Sequence, residues 1–340
     1  MSQFSHSQPL FPLKLEFNYS LYQNRQIVQN DIQPRNISNE ILAELYTYLE
    51  THGKINFRLT DIQIDAIISN LHDESFDLLD EISKIGEEDS RILIQTVNNY
   101  QHISVEYQAV IFARSINFVD ESYSDYIQFI IDSNDELAVG TVITGITKMF
   151  TKSNSSLIWI QNIIFKNFNY LKTIKYKVLV SSLFEFVLNL KIEFYSNEIE
   201  EYIKEHIYLN DGTVHIGSLI VAKAGSLWEE LGNDLLNYHL AVENISHRVK
   251  VGSLFVFKVF MRSCTEEYQF KRIFQVCVDM LEDSTNCGLA IIIIIELLCQ
   301  GRVSKEDLIN CEDILFNIIE NYSRCEDLAE FLLNLIEDLN

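Results

Sequence analysis

His215-Ile216-Gly217-Ser218-Leu219 and Lys250-Val251-Gly252-Ser253-Leu254 set the same Gly-Ser-Leu into similar surroundings. Three more stretches follow the pattern more loosely: Ala138-Val139-Gly140-Thr141-Val142, Leu179-Val180-Ser181-Ser182-Leu183 and Asn286-Cys287-Gly288-Leu289-Ala290. The small residues fall at 140, 181, 217, 252 and 288, with gaps of 41, 36, 35 and 36. Ala109 extends the series upstream, and Ala329 closes it downstream. Each stretch is almost wholly apolar, so each reads as a helix covered on several sides. A glycine inside a helix costs about 1 kcal/mol relative to alanine. Its recurrence at one phase predicts a neighbouring helix passing close at that point.

Between these stretches lie more amphipathic segments, at residues 154–171, 196–209, 226–240, 265–281 and 304–319. Two helices of about 15 residues with their turns make a unit of about 36 to 40, within the range of helical repeats. Thr60-Asp61-Ile62-Gln63 is a capping box, and Ser304-Lys305-Glu306-Asp307 resembles one with Asp in the last place. Gly86 and Gly301 fall where helix C-caps are expected. Leu328, Phe331, Leu332, Leu335 and Ile336 keep helical spacing to the end. The three prolines are Pro9, Pro12 and Pro34, and none follows. Proline is excluded from helix interiors, so its absence fits helices in succession, about 15 to 17 of them by their spacing. The chain holds 11 Gly and 3 Pro. Average usage of the two together is about 12% of residues, several times more. That shortage excludes a large all-β fold with its many turns.

An apolar inner helix carrying a small residue, alternating with amphipathic outer helices at this period, resembles the armadillo/HEAT-type helical-repeat family. The resemblance covers residues 38–340, most regularly 134–300. It implies an all-α fold, a right-handed α-solenoid, over residues 36–340, preceded by a flexible tail at 1–35. It also implies a non-enzymatic scaffold that binds a protein or peptide along its inner helices. The peptide-gripping Trp-x-x-x-Asn of nuclear import adaptors is missing: Trp159 is followed at that offset by Ile163, and Trp228 by Gly232. A permanent structural subunit of a larger complex is the alternative reading of the same fold.

The formal charge is −23, from 26 Lys and Arg against 49 Asp and Glu. This argues against unselective nucleic-acid binding and against docking on anionic lipid. The longest apolar run, at 287–295, is far short of the ~20 residues that span a bilayer. The stretch from Met1 to Lys14 lacks the basic start and apolar run of an export signal. The six cysteines, Cys264, Cys277, Cys287, Cys299, Cys311 and Cys325, show no paired metal spacing and read as buried reduced thiols on helices. Together these place the expected location in the cytoplasm or nucleus.

No phosphate-binding loop, dinucleotide fingerprint, zinc-protease motif or nucleophile elbow occurs. The one order of residues resembling a catalytic set is that of HD-type metal phosphohydrolases: His52, His72-Asp73 and Asp80 or Asp120. Convergence of these groups on a metal ion would be required. His52 sits at an expected helix end and Asp73 opens the acidic stretch 73–89, so the expectation is no catalytic residue, no metal and no cofactor.

The charge is unevenly spread. Residues 137–184 contain no acid but hold Lys148, Lys152, Lys166, Lys172, Lys175 and Lys177. A second acid-free window, 244–265, holds Arg248, Lys250, Lys258 and Arg262. In a repeat array, Lys175, Lys177, Lys250, Lys258 and Arg262 line one inner strip, which suits an acidic or phosphorylated peptide. The competing reading is charge balance against local acids such as Glu185. Thr141, Ser182, Ser218 and Ser253 form a second ladder, each directly after the small residue. They either present hydroxyls to the same peptide or bond to their own i−4 carbonyls.

Overall fold

A computed structural model describes residues 36–53, 57–69, 88–98, 101, 103–153, 157–242, 245–309 and 311–338. The expected tail at 1–35, Gly86, and the His72, Asp73 and Asp80 of the phosphohydrolase pattern lie outside them. Every regular element among the described residues is helical. In order these are α1 (Asn36–His52), α2 (Asp61–Ser69), α3 (Glu88–Asn98), α4 (Val105–Arg114), α5 (Ser124–Asp132), α6 (Glu136–Lys152), α7 (Ile158–Leu171) and α8 (Lys177–Asn189). Then come α9 (Asn197–His206), α10 (Asp211–Ala224), α11 (Glu229–Ala241), α12 (His247–Phe260), α13 (Glu267–Asp279), α14 (Cys287–Cys299), α15 (Lys305–Ile309), α16 (Glu312–Asn321) and α17 (Glu326–Asp338). Among the described residues no helix is long and apolar enough to cross a membrane.

The helix starts follow their capping chemistry. Thr60 and Gln63 exchange backbone and side-chain hydrogen bonds of 2.8 and 3.3 Å ahead of α2. Ser304 and Asp307 do the same ahead of α15, at 3.0 and 3.3 Å. Asp135 accepts from the first free N–H groups of α6, and Asn210 with Thr213 closes a capping box on α10. At the exit of α14, Gly301 takes φ +66°. There its N–H donates to Leu298 while that of Arg302 donates to Leu297, which satisfies two end carbonyls. The segment at 304–319 is two helices, not one. The spacing Leu308, Cys311, Leu315, Ile318 runs through the break, so periodicity reads it as continuous. The backbone instead turns at Cys311, whose N–H reaches back three residues to Leu308.

Packing follows the alternation expected from the repeats. α4 packs on α6, α6 on α8, α8 on α10, α10 on α12, α12 on α14 and α14 on α17. The amphipathic helices between them lie along the flank: α7 on α6, α9 on α8, α11 on α10 and α12, α13 on α14. Ala109, Gly140, Ser181, Gly217, Gly252, Gly288 and Ala329 each fall on one member of the alternating row. Three of the glycines sit at close contacts, of which Gly252 alone faces the backbone of the next helix in the row. A Cβ at Gly252 would stand 3.1 Å from Ser218 Cβ and 3.3 Å from the Cα of His215 on α10. One at Gly217 would meet Ile207 at 2.4 Å, and one at Gly140 would meet Tyr176 at 2.7 Å. The buried apolar residues form one continuous cluster from Leu42 to Ile336.

Candidate functional site

A cleft of about 770 Å³ lies on the row between α10, α12 and the turn that joins α13 to α14. Its floor is apolar: Leu219 from α10, Val251 and Phe255 from α12. Val251 and Phe255 face it because they lie four residues apart on the side of α12 away from the core. Phe255 is 36% exposed, a large ring left uncovered where the helices beneath are sealed. One wall carries His215, His247 and Arg248; the other carries Asp279, Glu282, Asp283, Ser284, Thr285 and Asn286.

The acidic wall is held by its own hydrogen bonds. Asp283 accepts from the Thr285 and Asn286 N–H groups at 2.8 and 3.2 Å and from the Asn286 side chain at 3.1 Å. His247 Nε2 lies 2.9 Å from its other side. Burial alone would raise the Asp283 carboxyl, but these donors outweigh it and hold it below its ordinary range. Asp279 behaves likewise, with the Lys250 ammonium 2.6 Å away.

Beside Arg248 stands a half-buried set of charges from three helices, α6, α8 and α12. Burial lowers Lys148 on α6 and Arg248 on α12, and raises Glu185 on α8. The charges oppose these shifts: Lys148 and Arg248 draw Glu185 back down, and Glu185 draws both of them back up. Asp211 at the start of α10 adds to the pull on Arg248. His215 is lowered by burial and then by the Arg248 charge, so its ring is neutral at neutral pH. Its Nδ1 is buried without a partner among the described residues.

The expected basic strip is largely spent inside the protein. Lys250 pairs with Asp279 at 2.6 Å, while Lys258 and Arg262 share Glu296 of α14 at 2.8 and 3.4 Å. Lys175 and Lys177, at the entry to α8, are exposed and make no ion pair among the described residues. The hydroxyl ladder does not face solvent. Ser182, Ser218 and Ser253 are buried and Thr141 is half-buried. Thr141, Ser182 and Ser253 donate to the carbonyls of Leu137, Val178 and Val249 at 2.8 to 2.9 Å. Ser218 lies 2.9 Å from His239 instead. As peptide contacts the three buried serines are corrected: their hydroxyls are spent on partners within and between the stacked helices.

His52 is exposed, stacked on Tyr48, with Nδ1 3.0 Å from the Tyr48 carbonyl. Asp120 caps a short 3-10 turn through the Ser122 N–H at 2.9 Å. Among the described residues no three His, Cys, Asp or Glu converge as metal ligands. Of the six cysteines, five are buried and Cys299 is exposed; all are free thiols. Cys264, Cys311 and Cys325 stand at helix boundaries, not within helices. Sequence reasoning named Glu185 only as a local balance for the lysines, and it passed over His215 and the acidic turn as site residues. The turn did leave a signal, since Asp279, Glu282 and Asp283 follow the acid-free window within one repeat length.

No protein-family model, curated protein or solved structure matches the chain.

Proposed function

We propose that the chain is a non-enzymatic interaction scaffold, an armadillo/HEAT-like α-solenoid that receives a protein or peptide segment along its inner helices. The observation that carries this is the cleft on the row, with an apolar floor at Val251 and Phe255 between walls of opposite charge. Its support is the regular α4–α6–α8–α10–α12–α14 packing, which extends a surface by adding units instead of enlarging one core. Rigid, stacked helices hold such a groove ready, so little ordering is lost on binding. An apolar side chain of the partner fills the floor, and Lys175 and Lys177 offer exposed charge to an acidic or phosphorylated stretch further along the row.

The test is affinity purification of the full chain from its native cell, with Phe255→Asp beside it. A partner recovered with the unchanged chain and lost with Phe255→Asp supports the reading. An identical set of partners sinks it. Small-angle scattering of the purified chain adds the shape: an elongated particle is expected, and a sphere of the same mass would remove the solenoid.

One observation favours a permanent subunit. Phe118, Ile192, Phe194 and Leu227 are 40 to 53% exposed, just beyond the C-terminal ends of α4, α8 and α10. A repeated apolar edge of this kind suits a constant neighbour. A chain that stays soluble only when co-purified with one stoichiometric protein would decide for that reading.

A further inference from the structure

Cys287 opens α14, and Cys325 stands directly before α17. The two are 38 residues apart in sequence, yet their sulfurs lie 2.7 Å apart. Both are buried, at 0% and 5% exposure. The contact is set by the fold: Gly288 leaves room beside Cys287, so that a Cβ there would stand 3.4 Å from the Cys325 sulfur. Both residues stand at the start of a helix, where the backbone is not yet locked by a full set of intrahelical bonds. A disulfide is about 2.05 Å long, so small rotations of the two side chains bring the sulfurs within bonding distance.

We propose that Cys287 and Cys325 form a reversible disulfide that clamps α17, the last helix of the row, onto α14. In the reaction two S–H bonds are replaced by one S–S bond, and two electrons and two protons leave the protein. A small organic disulfide such as oxidised glutathione takes them. One cysteine sulfur attacks it and expels half as a thiol; the second cysteine then displaces the other half as a second thiol. Cys299 is exposed at the far end of α14, so it is the cysteine that stops at a mixed adduct.

The burial that shields the pair also sets its rate. It pushes the Cys287 thiol up to about 12, with the neighbouring Cys325 adding to the effect. Thiolate is then scarce at neutral pH, and oxidation waits for α17 to loosen from α14. Once closed, the link ties the terminal helix to the row and is shielded from reductant in the same way.

The test uses the purified full chain, incubated natively with oxidised glutathione and digested without reductant for mass spectrometry. The expected result is a Cys287–Cys325 linked peptide pair, a glutathione adduct on Cys299, and reversal of both by dithiothreitol. The thermal midpoint of the oxidised chain shifts upward by several degrees, and amide exchange slows across α17. Cys299→Ser retains the link and the shift; Cys325→Ser loses both. The proposal is overturned if Cys287 and Cys325 stay thiols while Cys299 is modified, or if the link forms between any other pair. The digest of the unchanged chain decides this even where a serine variant folds poorly.

Discussion

Ser218 Oγ lies 2.9 Å from Nε2 of His239, and neither residue is exposed. On the other side of the ring Nδ1 lies 2.9 Å from Ser253 Oγ. Ser253 already donates its hydroxyl to the Val249 carbonyl at 2.9 Å, so it accepts from the ring, and Nδ1 carries the proton. Nε2 is therefore the acceptor for Ser218. One neutral imidazole from α11 thus ties α10 to α12 beneath the cleft. His239→Ala leaves a void and two buried hydroxyls without their partner, at a cost of about 3 kcal/mol or more. Ser218→Ala leaves only the ring acceptor orphaned and costs about 1 to 2 kcal/mol. Urea unfolding of the two variants measures both. Equal stability of His239→Ala and the unchanged chain would show that the ring pins nothing.

The same ring makes stability depend on pH. Burial pushes His239 down to about 3, against an ordinary value of about 6.5. Its folded pKa lies below its unfolded one, so the unfolded chain binds the proton first. The stabilisation is complete above about pH 6.5 and is lost as pH falls toward 3, by up to about 1.4 kcal/mol per unit. Between pH 7 and pH 5 the loss is about 2 kcal/mol. His239→Gln cannot titrate, so the difference between the two proteins isolates this group from the carboxylates. Parallel urea midpoints for both across that interval would mean that the imidazole protonates inside the fold.

The glycines of the row are predicted to differ from one another. At Gly252 an added Cβ presses on the backbone of α10, since the Cα of His215 is 3.3 Å away. The gain in helix propensity, roughly a few tenths of a kcal/mol for valine, is then outweighed by the displacement of α12, and Gly252→Val costs about 1 to 3 kcal/mol. At Gly288 the nearest atoms are at 3.4 and 3.6 Å, which is ordinary contact. Gly288→Ala is therefore neutral or stabilising by up to about 1 kcal/mol. Thermal unfolding of the pair checks the ranking, and a larger loss at Gly288 would reverse it.

These two examples also mark how far the sequence could be read. The recurrence of small residues at 217, 252 and 288 made the alternating row legible from spacing, although only Gly252 is pressed by the next helix of the row. His239 was not. It is a single histidine on an amphipathic segment, and its meaning comes from serines 21 and 14 residues away meeting on one ring. The partners of the basic strip were out of view for a related reason. Lys250 and Lys258 stand in an acid-free window, but their partners Asp279 and Glu296 lie 29 and 38 residues on, about one repeat along. Charge counted along the chain misses neutralisation between stacked units. Cys287 and Cys325 are 38 residues apart and were hidden in the same way.

Lys223 joins two units of the row by a different bond. Its Nζ donates to the carbonyls of Leu188 and Leu190 at 2.7 and 2.6 Å, at the C-terminal end of α8. A cation is favoured there because the last carbonyls of a helix carry partial negative charge. Burial lowers the Lys223 pKa without removing that fit. Lys223→Met keeps the aliphatic stem and loses the donors, so it costs about 1.5 to 3 kcal/mol. Equilibrium unfolding reads the loss, and amide exchange at the end of α8 should rise with it. No change at either would show that water replaces the ammonium freely.

Glu296 decides whether the remaining cations of the strip can act outward. It holds both Lys258 and Arg262, and its own side chain is 19% exposed while that of Arg262 is 83% exposed. Such pairs contribute little to stability, about 0 to 1 kcal/mol. Glu296→Gln therefore leaves the fold intact and releases two positive charges at the end of α12. If an acidic or phosphorylated partner lies along the row, Glu296→Gln tightens it by about 3- to 10-fold at low salt. Lys175→Glu with Lys177→Glu weakens the same complex, and both effects shrink as salt is raised because exposed charges are screened beyond about 8 Å at 0.15 M. Titration of the recovered partner at two salt concentrations measures this. Opposite signs from these two changes are the signature of an electrostatic track; the same sign, or salt-independent affinity, would assign recognition to the apolar floor at Val251 and Phe255 alone.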